Sequence, residues 1–359
     1  MSQATSGAAA GDGATGGHRV AGPVVAGIVV GIDNGGHANN VTVLHPERGF
    51  LIDRMLEVPS RVLDGPAAAI EAMADALAIG LETAGVDRDS VASVGLDTPG
   101  PASAHGVLSS KGATNFSDRS WWGFDIRAAL EARLGLPVVY SNDGNAAALY
   151  AHHVHFGADA FARSSISAIV GTGLGGGVIE GGRIVRGASG MAGELGHVHI
   201  PMAGLLGDGQ PVPTCNCGFS GDVESVASLT GIRQNLLPYW LTRYPDHELV
   251  GHDPVDACKR VRAFGEREDP MARAIFEQQA MALGRLFTIA ANFTDPDAFF
   301  VGGGVVEAAP SFRDWFVDRV RANTTLRAEQ AGASTVALVP DLDMAGARGA
   351  ALAAAGGIG

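Results

Sequence analysis

Two distant segments of this sequence repeat one local pattern, and this repetition constrains the fold more than any other feature. Residues 24–58 (VVAGIVVGIDNGGHANNVTVLHPERGFLIDRMLEV) contain three predicted strands, at 24–32, 41–44 and 51–58, and the first turn between them is rich in glycine. Residues 164–185 (SSISAIVGTGLGGGVIEGGRIV) show the same succession. Runs rich in Val and Ile between turn residues predict strands, so each half of the chain is expected to open with a β-hairpin.

Helical patterns fill much of the sequence between and after these segments. Apolar residues recur at helical spacing in 66–83, and residues 229–293 are predicted to be mostly helical. A small-residue helix, GARGAALAAAG, is predicted near the end of the chain. One apolar face of the long helical region is predicted from spacings of three and four, at Phe276, Ala280, Leu283, Phe287 and Ala290.

Polar side chains follow several predicted strands. A short apolar strand ends at Asp97, and another runs into Asn142 and Asp143, after which a helix is expected to open near Asn145. From the residues alone, Asp143 fits two roles: a functional carboxylate at the mouth of an α/β sheet, or the N-cap of the helix. The mixture of strands and helices predicts an α/β protein.

Length and charge narrow the class of protein. A chain of 359 residues is long enough for two lobes with their own cores. A net charge of −13 and the lack of any basic run argue against a nucleic-acid partner, because phosphate backbones are bound by clustered Lys and Arg. The three cysteines are too few for a disulfide framework, which fits a reducing, cytoplasmic compartment.

The N-terminal region gives no sign of membrane attachment. Residues 1–23 are Gly, Ala, Ser and Thr without periodicity and are predicted to be a disordered tail. They lack the basic start and apolar centre of a secretory signal. The apolar run that follows is too short to span a bilayer, so we expect neither a membrane nor a nucleic acid among the partners.

Three glycine stretches could bind phosphate: 33–40 (DNGGHANN), 171–177 (GTGLGGG) and 302–304 (GGG). Glycine allows backbone N–H groups to point into one concavity. None of the three is a Walker loop, and the Gly-x-Gly-x-x-Gly of the second is followed by a predicted strand rather than a helix. Taken singly, each could simply be a tight hairpin turn.

Residues 193–225 (GELGHVHIPMAGLLGDGQPVPTCNCGFSGDVES) combine two histidines, a Cys-x-Cys and several carboxylates. Cys-x-Cys is a poor disulfide but a good half-site for a metal. The candidate ligands are His197, His199, Cys215 and Cys217, and the alternative is a polar loop with unliganded thiols.

These segments together resemble the ROK family of sugar kinases and repressors, which has the actin-like ATPase fold. DNGGH resembles the first phosphate loop of the family, and GTGLGGGVIEGGRIVRGASGMAGELGH its second phosphate loop and signature. TPGPASAHGVLSSKGATNF resembles a sugar-contacting segment, NDGNAAALYAHH the catalytic segment, CNCGFSGDVES the zinc motif and DPDAFFVGGGV the adenosine segment. The resemblance extends from about residue 25 to the end of the chain.

The resemblance implies an α/β, two-lobed, ribonuclease H-like fold with mixed sheets and a cleft between the lobes. The first lobe is expected to contain 24–142 plus 340–359, and the second 143–339, with the zinc-motif loop and a helical segment. The implied activity is phosphorylation of a hydroxyl on a hexose, hexose-like sugar or cyclitol, with ATP and Mg²⁺. A homo-oligomer, dimer or tetramer, is also implied.

The resemblance also implies roles for individual residues. Asp143 matches the catalytic base, in agreement with the need of a sugar hydroxyl for a proton acceptor during attack on a phosphate. The sugar-binding positions match Asn115, Asn142, Glu194, His197 and Glu224. The phosphate, magnesium and nucleotide positions match Asp33, Gly35, Gly36, His37, Thr172, Gly173, Gly303 and Gly304.

For the zinc site, the resemblance implies His197, Cys215 and Cys217 as ligands, with Asp222 where the family has its third cysteine. A carboxylate oxygen can complete a tetrahedral zinc site, so this ligand set is chemically sound. His199 is a spare candidate, expected to point to the other face of a strand. The alternative is that the zinc has been lost and the two cysteines are core thiols.

Two competing functions follow from the same resemblance. The family's repressors add an N-terminal DNA-binding helix-turn-helix, whereas the first residues here have no helical pattern and almost no basic charge. A sugar-binding pseudokinase is the other alternative, suggested by His37 in place of a small hydroxyl residue in the first phosphate loop. The match at Asp143 favours an active kinase.

Overall fold

The computed structural model describes residues 27–100, 102–103, 105–109, 116 and 118–356. The predicted tail at 1–23 and the predicted sugar contact Asn115 therefore lie outside the described residues.

The first half of the chain forms a mixed sheet with strand order β3-β2-β1-β5-β6, and β4 pairs with β2. The hairpin β1–β2 is antiparallel, whereas β1, β5 and β6 run parallel to one another. The strands are β1 (Ile28–Asn34), β2 (Ala38–His45), β3 (Gly49–Phe50), β4 (Glu57–Pro59), β5 (Val91–Thr98) and β6 (Val138–Asn142). The hairpin and the strand before Asp97 are where the sequence predicts them.

The second half forms a five-stranded sheet with strand order β11-β10-β7-β8-β9. Its hairpin β7–β8 is antiparallel, and β7, β10 and β11 run parallel. The strands are β7 (Ser164–Val170), β8 (Leu174–Glu180), β9 (Arg183–Ile184), β10 (Ala298–Gly302) and β11 (Thr335–Leu338). Apart from β4, the order matches that of the first sheet, so the duplication predicted from the two hairpins extends to five strands of each sheet.

The helices connect and cover these sheets. They are α1 (Pro66–Ala84), α2 (Ile126–Leu134), α3 (Asp143–Phe156), α4 (Leu229–Gly231), α5 (Leu237–Arg243), α6 (Pro254–Glu266), α7 (Pro270–Thr294), α8 (Pro310–Asn323), α9 (Ala328–Ala331) and α10 (Leu342–Gly356). Acidic N-caps begin three of them: the side chains of Asp125, Asp253 and Asp269 accept backbone N–H groups of α2, α6 and α7. The predicted apolar face of α7 is buried.

Helices α3 and α10 connect the two sheets. α10 packs on β1, β2 and β5 of the first sheet and on α3, which in turn packs on β7 and β8 of the second. The small residues of α10 permit this closeness: a Cβ at Gly349 would overlap the carbonyl oxygen of Ala146 in α3. The composition of the predicted closing helix therefore has a packing reason, because larger side chains would separate the helices.

Two local predictions are wrong. Residues 51–58 do not form one strand, since only Glu57–Pro59 pairs with β2, after an irregular segment. The helix expected near Asn145 begins at Asp143, because Asn142 rather than Asp143 is its N-cap. The predicted lobe boundaries at residues 142/143 and 339/340 stay a prediction. Among the described helices, none combines the length and apolarity required to cross a membrane.

Candidate active site

Parallel strands of the first sheet bring polar residues together at their carboxyl ends. Asp33 on β1 is the direct partner of Asp97 on β5, and Thr98 is the partner of Asn142 on β6. Asp143 follows Asn142 as the first residue of α3. Ligands of open α/β sheets bind at such carboxyl edges, so the predicted Asp33, Asn142 and Asp143 lie where a site is expected.

Asp97 is a member of this edge that the sequence analysis assigns no role. Its side chain is fully buried beside the Asp33 carboxyl group, and no N–H group of the described residues donates to its oxygens. Burial raises its pKa well above the usual range, and the charges of Asp33 and Asp143 raise it further. The available signal was its place at a strand end, which it shares with Asp33.

Asp33 is the half-buried neighbour of Asp97. Burial raises the pKa of Asp33, while a hydrogen bond from Asn40 Nδ2 to Asp33 Oδ2, 3.3 Å long, opposes the rise. Carboxylate oxygens with unused lone pairs at a buried edge suit Mg²⁺, which prefers oxygen ligands. These residues therefore fit the magnesium role that the sequence suggests for Asp33.

Asp143 is available for chemistry because its neighbour performs the capping. Asn142 Oδ1 accepts the backbone N–H of Asn145 at 2.8 Å, which satisfies the start of α3. Asp143 Oδ1 accepts the adjacent N–H of Gly144 at 2.7 Å, and the residue remains open to solvent. The alternative in which Asp143 serves as the N-cap is therefore wrong.

The environment of Asp143 also suits a proton acceptor. The surrounding protein displaces water from the carboxylate and raises the pKa of Asp143 to about 6, and the charges of Asp33 and Glu194 add to the rise. Asp33 belongs to the first half and Glu194 to the second, so Asp143 lies where the halves meet. A carboxylate with such a pKa is ionised at neutral pH and still accepts a proton readily.

Four predicted sugar contacts form a polar group that begins at Asn142, the residue before Asp143. The side-chain amide of Asn142 is 3.5 Å from Glu194 Oε1. Burial raises the pKa of Glu194, and the charge of Glu224 acts in the same direction, whereas His197 opposes it. The structure thus brings Asn142, Glu194, His197 and Glu224 into one polar group.

A cavity lies beside Asn142, between the two halves of the chain. It measures about 330 Å³ including its open mouth. Tyr140 and Asn145 line it from the first half and α3, and Arg186 and Gly190 from the second. Arg186 Nη1 donates a hydrogen bond to the carbonyl oxygen of Tyr140 at 2.9 Å, which connects the halves across this cavity.

The second glycine turn lies at the carboxyl edge of the second sheet. The N–H of Gly171 donates to the carbonyl oxygen of Gly173 at 2.9 Å, and Thr172 between them is exposed. Gly302 pairs with Ile169 just before this turn, so the glycines after β10 adjoin it. Gly303 has a φ of 85° and a Cβ there would overlap the backbone of Val170, so both conformation and space require glycine.

The first glycine turn has the same length but different surroundings. Gly35, Gly36 and His37 connect β1 to β2, and the N–H of Gly35 donates to the carbonyl oxygen of Ala38 at 2.9 Å. His37 is exposed, and its backbone carbonyl accepts the N–H of Ser60. The His37 ring is therefore free to point to solvent or to a ligand.

The four predicted zinc ligands form one cluster. The ligand atoms of His197, Cys215, Cys217 and Asp222 all lie within 4.8 Å of one another. Asp222 Oδ2 is 3.2 Å from His197 Nδ1 and 3.4 Å from Cys217 Sγ, and Cys215 Sγ is 3.9 Å from the same nitrogen. His199 is outside this cluster and contacts Phe219 instead.

These separations fit a tetrahedral metal. With the usual zinc bond lengths, tetrahedral geometry separates nitrogen from oxygen ligands by about 3.4 Å, and sulfur from either by about 3.6 Å. Burial opposes ionisation of Asp222, but hydrogen bonds from Cys215, the Ser225 N–H and His197 prevail and lower its pKa. The donors are therefore of the right kind and at the right spacing for zinc.

Trp121 and Trp122 are adjacent in the sequence, but one is buried and the other is exposed. Trp121 is buried against Phe116 and Phe124, and its Nε1 donates to the carbonyl oxygen of Val62. Trp122 is exposed, with the Arg119 guanidinium over its ring. Trp121 is thus a core residue, whereas Trp122 lies at the surface.

Comparison with known proteins gives a consistent result. The sequence model of the ROK family matches residues 29–356. The chain is 31% identical over 282 residues to a glucokinase of Halalkalibacterium halodurans, covering 78% of this chain and 81% of that protein. It is 31% identical over 284 residues to an N-acetyl-D-glucosamine kinase of Citrobacter koseri, covering 77% and 83% respectively.

Solved structures agree. The fold is similar to a ROK family glucokinase from Streptomyces griseus in complex with glucose and AMPPNP, with a TM-score of 0.65 and 28% identity. The similarity covers 91% of this chain and 99% of that one. The two sheets described above are thus those of the actin-like ATPase fold.

Proposed function

The chain belongs to the ROK family and is an ATP-dependent sugar kinase, and we propose that Asp143 is its general base. The acceptor is a hydroxyl of a hexose, a hexose-like sugar or a cyclitol. The observation that carries the assignment of the base is the exposed Asp143 carboxylate at the start of α3, whose capping role is taken by Asn142.

The proton transfer follows from this position. A sugar hydroxyl is a weak nucleophile, and its attack on the γ-phosphate of ATP requires a group that accepts its proton. An ionised Asp143 accepts that proton as the new oxygen–phosphorus bond forms, and ADP leaves. Its pKa of about 6 keeps it ionised at neutral pH.

Sugar binding is assigned to the polar group around Asp143. Asn142 can donate and accept hydrogen bonds, and Glu194 and Glu224 can accept them. His197 can donate through the ring nitrogen that faces away from the cluster, because its other nitrogen would bind zinc. Asn115 is proposed as a further sugar contact from its place in the sequence. The cavity at Arg186 adjoins this group and gives the sugar access from the space between the halves.

Phosphate binding is assigned to the glycine turns. We assign Gly35, Gly36 and His37 to the first phosphate turn, Thr172 and Gly173 to the second, and Gly303 and Gly304 to the wall near the nucleotide. The adjacency of Gly302 to Ile169 supports this, because it places the last glycines beside the second turn.

Two metals complete the proposal. Asp33, with Asp97 beside it, would hold Mg²⁺, which supplies positive charge to the phosphates when bound. His197, Cys215, Cys217 and Asp222 would hold zinc, which fixes the ring of His197 when bound. Asp222 and Ser225 stabilise this loop independently, through the hydrogen bond from the Ser225 N–H to Asp222 Oδ1 at 2.9 Å.

The test is a coupled assay of ADP release with Mg²⁺, ATP and a panel of hexoses, N-acetylhexosamines and cyclitols, with the phosphorylated product confirmed by mass spectrometry. We expect one sugar class to give turnover well above the rate of ATP hydrolysis alone. Binding of a sugar without any phosphorylated product would instead identify a pseudokinase.

A further inference from the structure

Glu224 connects two sites that the preceding assignments treat separately. Its Oε2 accepts the backbone N–H of Leu174, the residue that follows the second glycine turn, at 2.8 Å. Its Oε1 lies 3.4 Å from Sγ of Cys215, a member of the zinc cluster. One carboxylate therefore contacts both the phosphate turn and the metal cluster.

Gly173 makes the first of these contacts possible. A Cβ at this position would lie 2.6 Å from Glu224 Oε2, closer than van der Waals contact allows. The absence of a side chain at Gly173 thus lets the carboxylate approach the turn directly. Any movement of the Glu224 side chain changes the packing at the turn itself.

The backbone after Glu224 pairs with the same turn. The N–H of Leu229 donates to the carbonyl oxygen of Gly171 at 2.9 Å, and the N–H of Thr230 donates to that of Thr172 at 3.0 Å. Ser228 Oγ donates to the carbonyl oxygen of Glu224 at 2.7 Å, which fixes the intervening chain. Three hydrogen bonds from residues 224–230 therefore reach the second turn, by side chain and by backbone.

The segment 224–230 follows closely after a predicted metal ligand, Asp222. Asp222 is two residues before Glu224, and Cys215 and Cys217 lie a few residues before Asp222. A metal that joins His197, Cys215, Cys217 and Asp222 would restrict the motion of the whole segment, because ligand binding orders the loop that supplies the ligands. The ordered segment in turn restricts the second turn through Glu224.

We propose that Glu224 couples the metal cluster to the second glycine turn, so that zinc and the nucleotide phosphates bind with positive cooperativity. The inference rests on the proposed function, in which that turn binds nucleotide phosphate. An already ordered turn loses less conformational entropy when phosphate binds, and the first ligand therefore strengthens the second. Glu224 acts here as a positioning residue for the turn.

The direct test compares nucleotide affinity with and without zinc. A non-hydrolysable ATP analogue with Mg²⁺ is titrated into protein loaded with Zn²⁺ and into protein stripped by a zinc-selective chelator. We expect the loaded protein to bind the analogue at least about fivefold more tightly, the lower end of typical coupling between sites. In Glu224→Ala, the ratio of the two affinities should fall close to one.

The matched control is Glu180→Ala. Glu180 is an exposed glutamate at the other end of β8, the strand that Leu174 begins, and it should leave the ratio as in the wild type. A ratio of one in the wild type, or an undiminished ratio in Glu224→Ala, overturns the coupling but not the proposed function. Failure of the loaded wild type to bind the analogue at all would instead contradict the proposed function.

A reciprocal measurement covers the case in which the stripped protein or the Glu224→Ala variant does not fold. The zinc dissociation constant of the wild type is measured by competition with a chromophoric chelator, with and without the ATP analogue. Linkage requires the analogue to tighten zinc binding by the same factor. An unchanged zinc affinity overturns the proposal.

Discussion

The two sheets share a strand order and a turn length, yet the same positions carry different chemistry. In each half, three residues connect the hairpin strands, at 35–37 and at 171–173. Before the first turn, Asp33 pairs with Asp97; before the second, Ile169 pairs with Gly302. Carboxylates therefore occupy one half, and an apolar residue and a glycine occupy the matching place in the other.

This difference teaches how a duplicated fold can divide a reaction. Ile169 and Gly302 add no carboxylate to their strand edge, so the nucleotide site proposed there would use mainly backbone groups. Carboxylates at the first turn suit a cation and a proton, which the transfer also requires. On the proposed assignments, similar backbones perform complementary tasks because their side chains differ.

The largest expected effect is a loss of turnover on mutation at the start of α3. The matching position at the start of α10 should show no such loss. Asp143 begins α3 after β6, and Asp343 lies in the first turn of α10 after β11. Asp143→Asn should lower kcat by about 10²–10⁴-fold, because the amide cannot accept the proton, while sugar affinity measured by calorimetry persists. Asp343→Asn, a change of the same kind at an exposed site, should leave kcat unchanged. Near-normal turnover of Asp143→Asn would refute its role.

The next largest effect, on metal content and sugar affinity, is expected at the zinc cluster, which lies in the second half of the chain. Cys215→Ser should lose the metal by elemental analysis and weaken sugar binding by about 10–100-fold, because His197 loses its fixed orientation. Cys258→Ser removes a buried thiol in α6 and should retain the metal. If Asp222→Ala also retains it, water or another residue supplies the fourth ligand. Full sugar affinity in a metal-free protein would contradict the assignment.

The pH profile tests the charges at the junction of the halves. The pKa of Asp143 is raised to about 6, so the base becomes protonated as the pH falls through that value. Since only the ionised form accepts a proton, kcat/KM should fall about tenfold per pH unit below about 6. The measurement is the initial rate in overlapping buffers, with circular dichroism confirming that the protein stays folded. A flat profile down to about pH 5 would exclude Asp143 as the titrating base.

Asp97 is expected to have a smaller effect, on the pH dependence of the free energy of unfolding. Because its pKa is raised, the native state retains a proton that the unfolded state has already lost, and stability falls as the pH rises above the ordinary range of Asp. One proton contributes at most about 1.4 kcal/mol per pH unit to this slope. Asp97→Asn should flatten the slope of the free energy of unfolding above about pH 4, the ordinary pKa of Asp, measured with urea. An unchanged slope would show that Asp97 does not hold the proton.

Much of this arrangement could be predicted from local sequence. The hairpins were visible because β-branched runs and glycine turns are local signals, and Asp143 stood out through its place after a strand. Asp97 was missed because its significance lies in a partner on another strand, and the pairing register is not readable from one segment. The start of α3 was misplaced because Asn142 and Asp143 are both good N-caps, and only the hydrogen bond to Asn145 distinguishes them.

The most direct test of the division between the halves is the binding of a non-hydrolysable ATP analogue, measured by calorimetry with and without Mg²⁺. Asp33→Asn should remove most of the enhancement by Mg²⁺ and leave the metal-free affinity of the nucleotide intact. Gly173→Ala should weaken nucleotide binding by the same factor in both conditions, because its Cβ would displace the Glu224 carboxylate 2.6 Å away and disturb the second turn. If the two variants exchange these effects or show the same pattern, the halves do not divide the work as described.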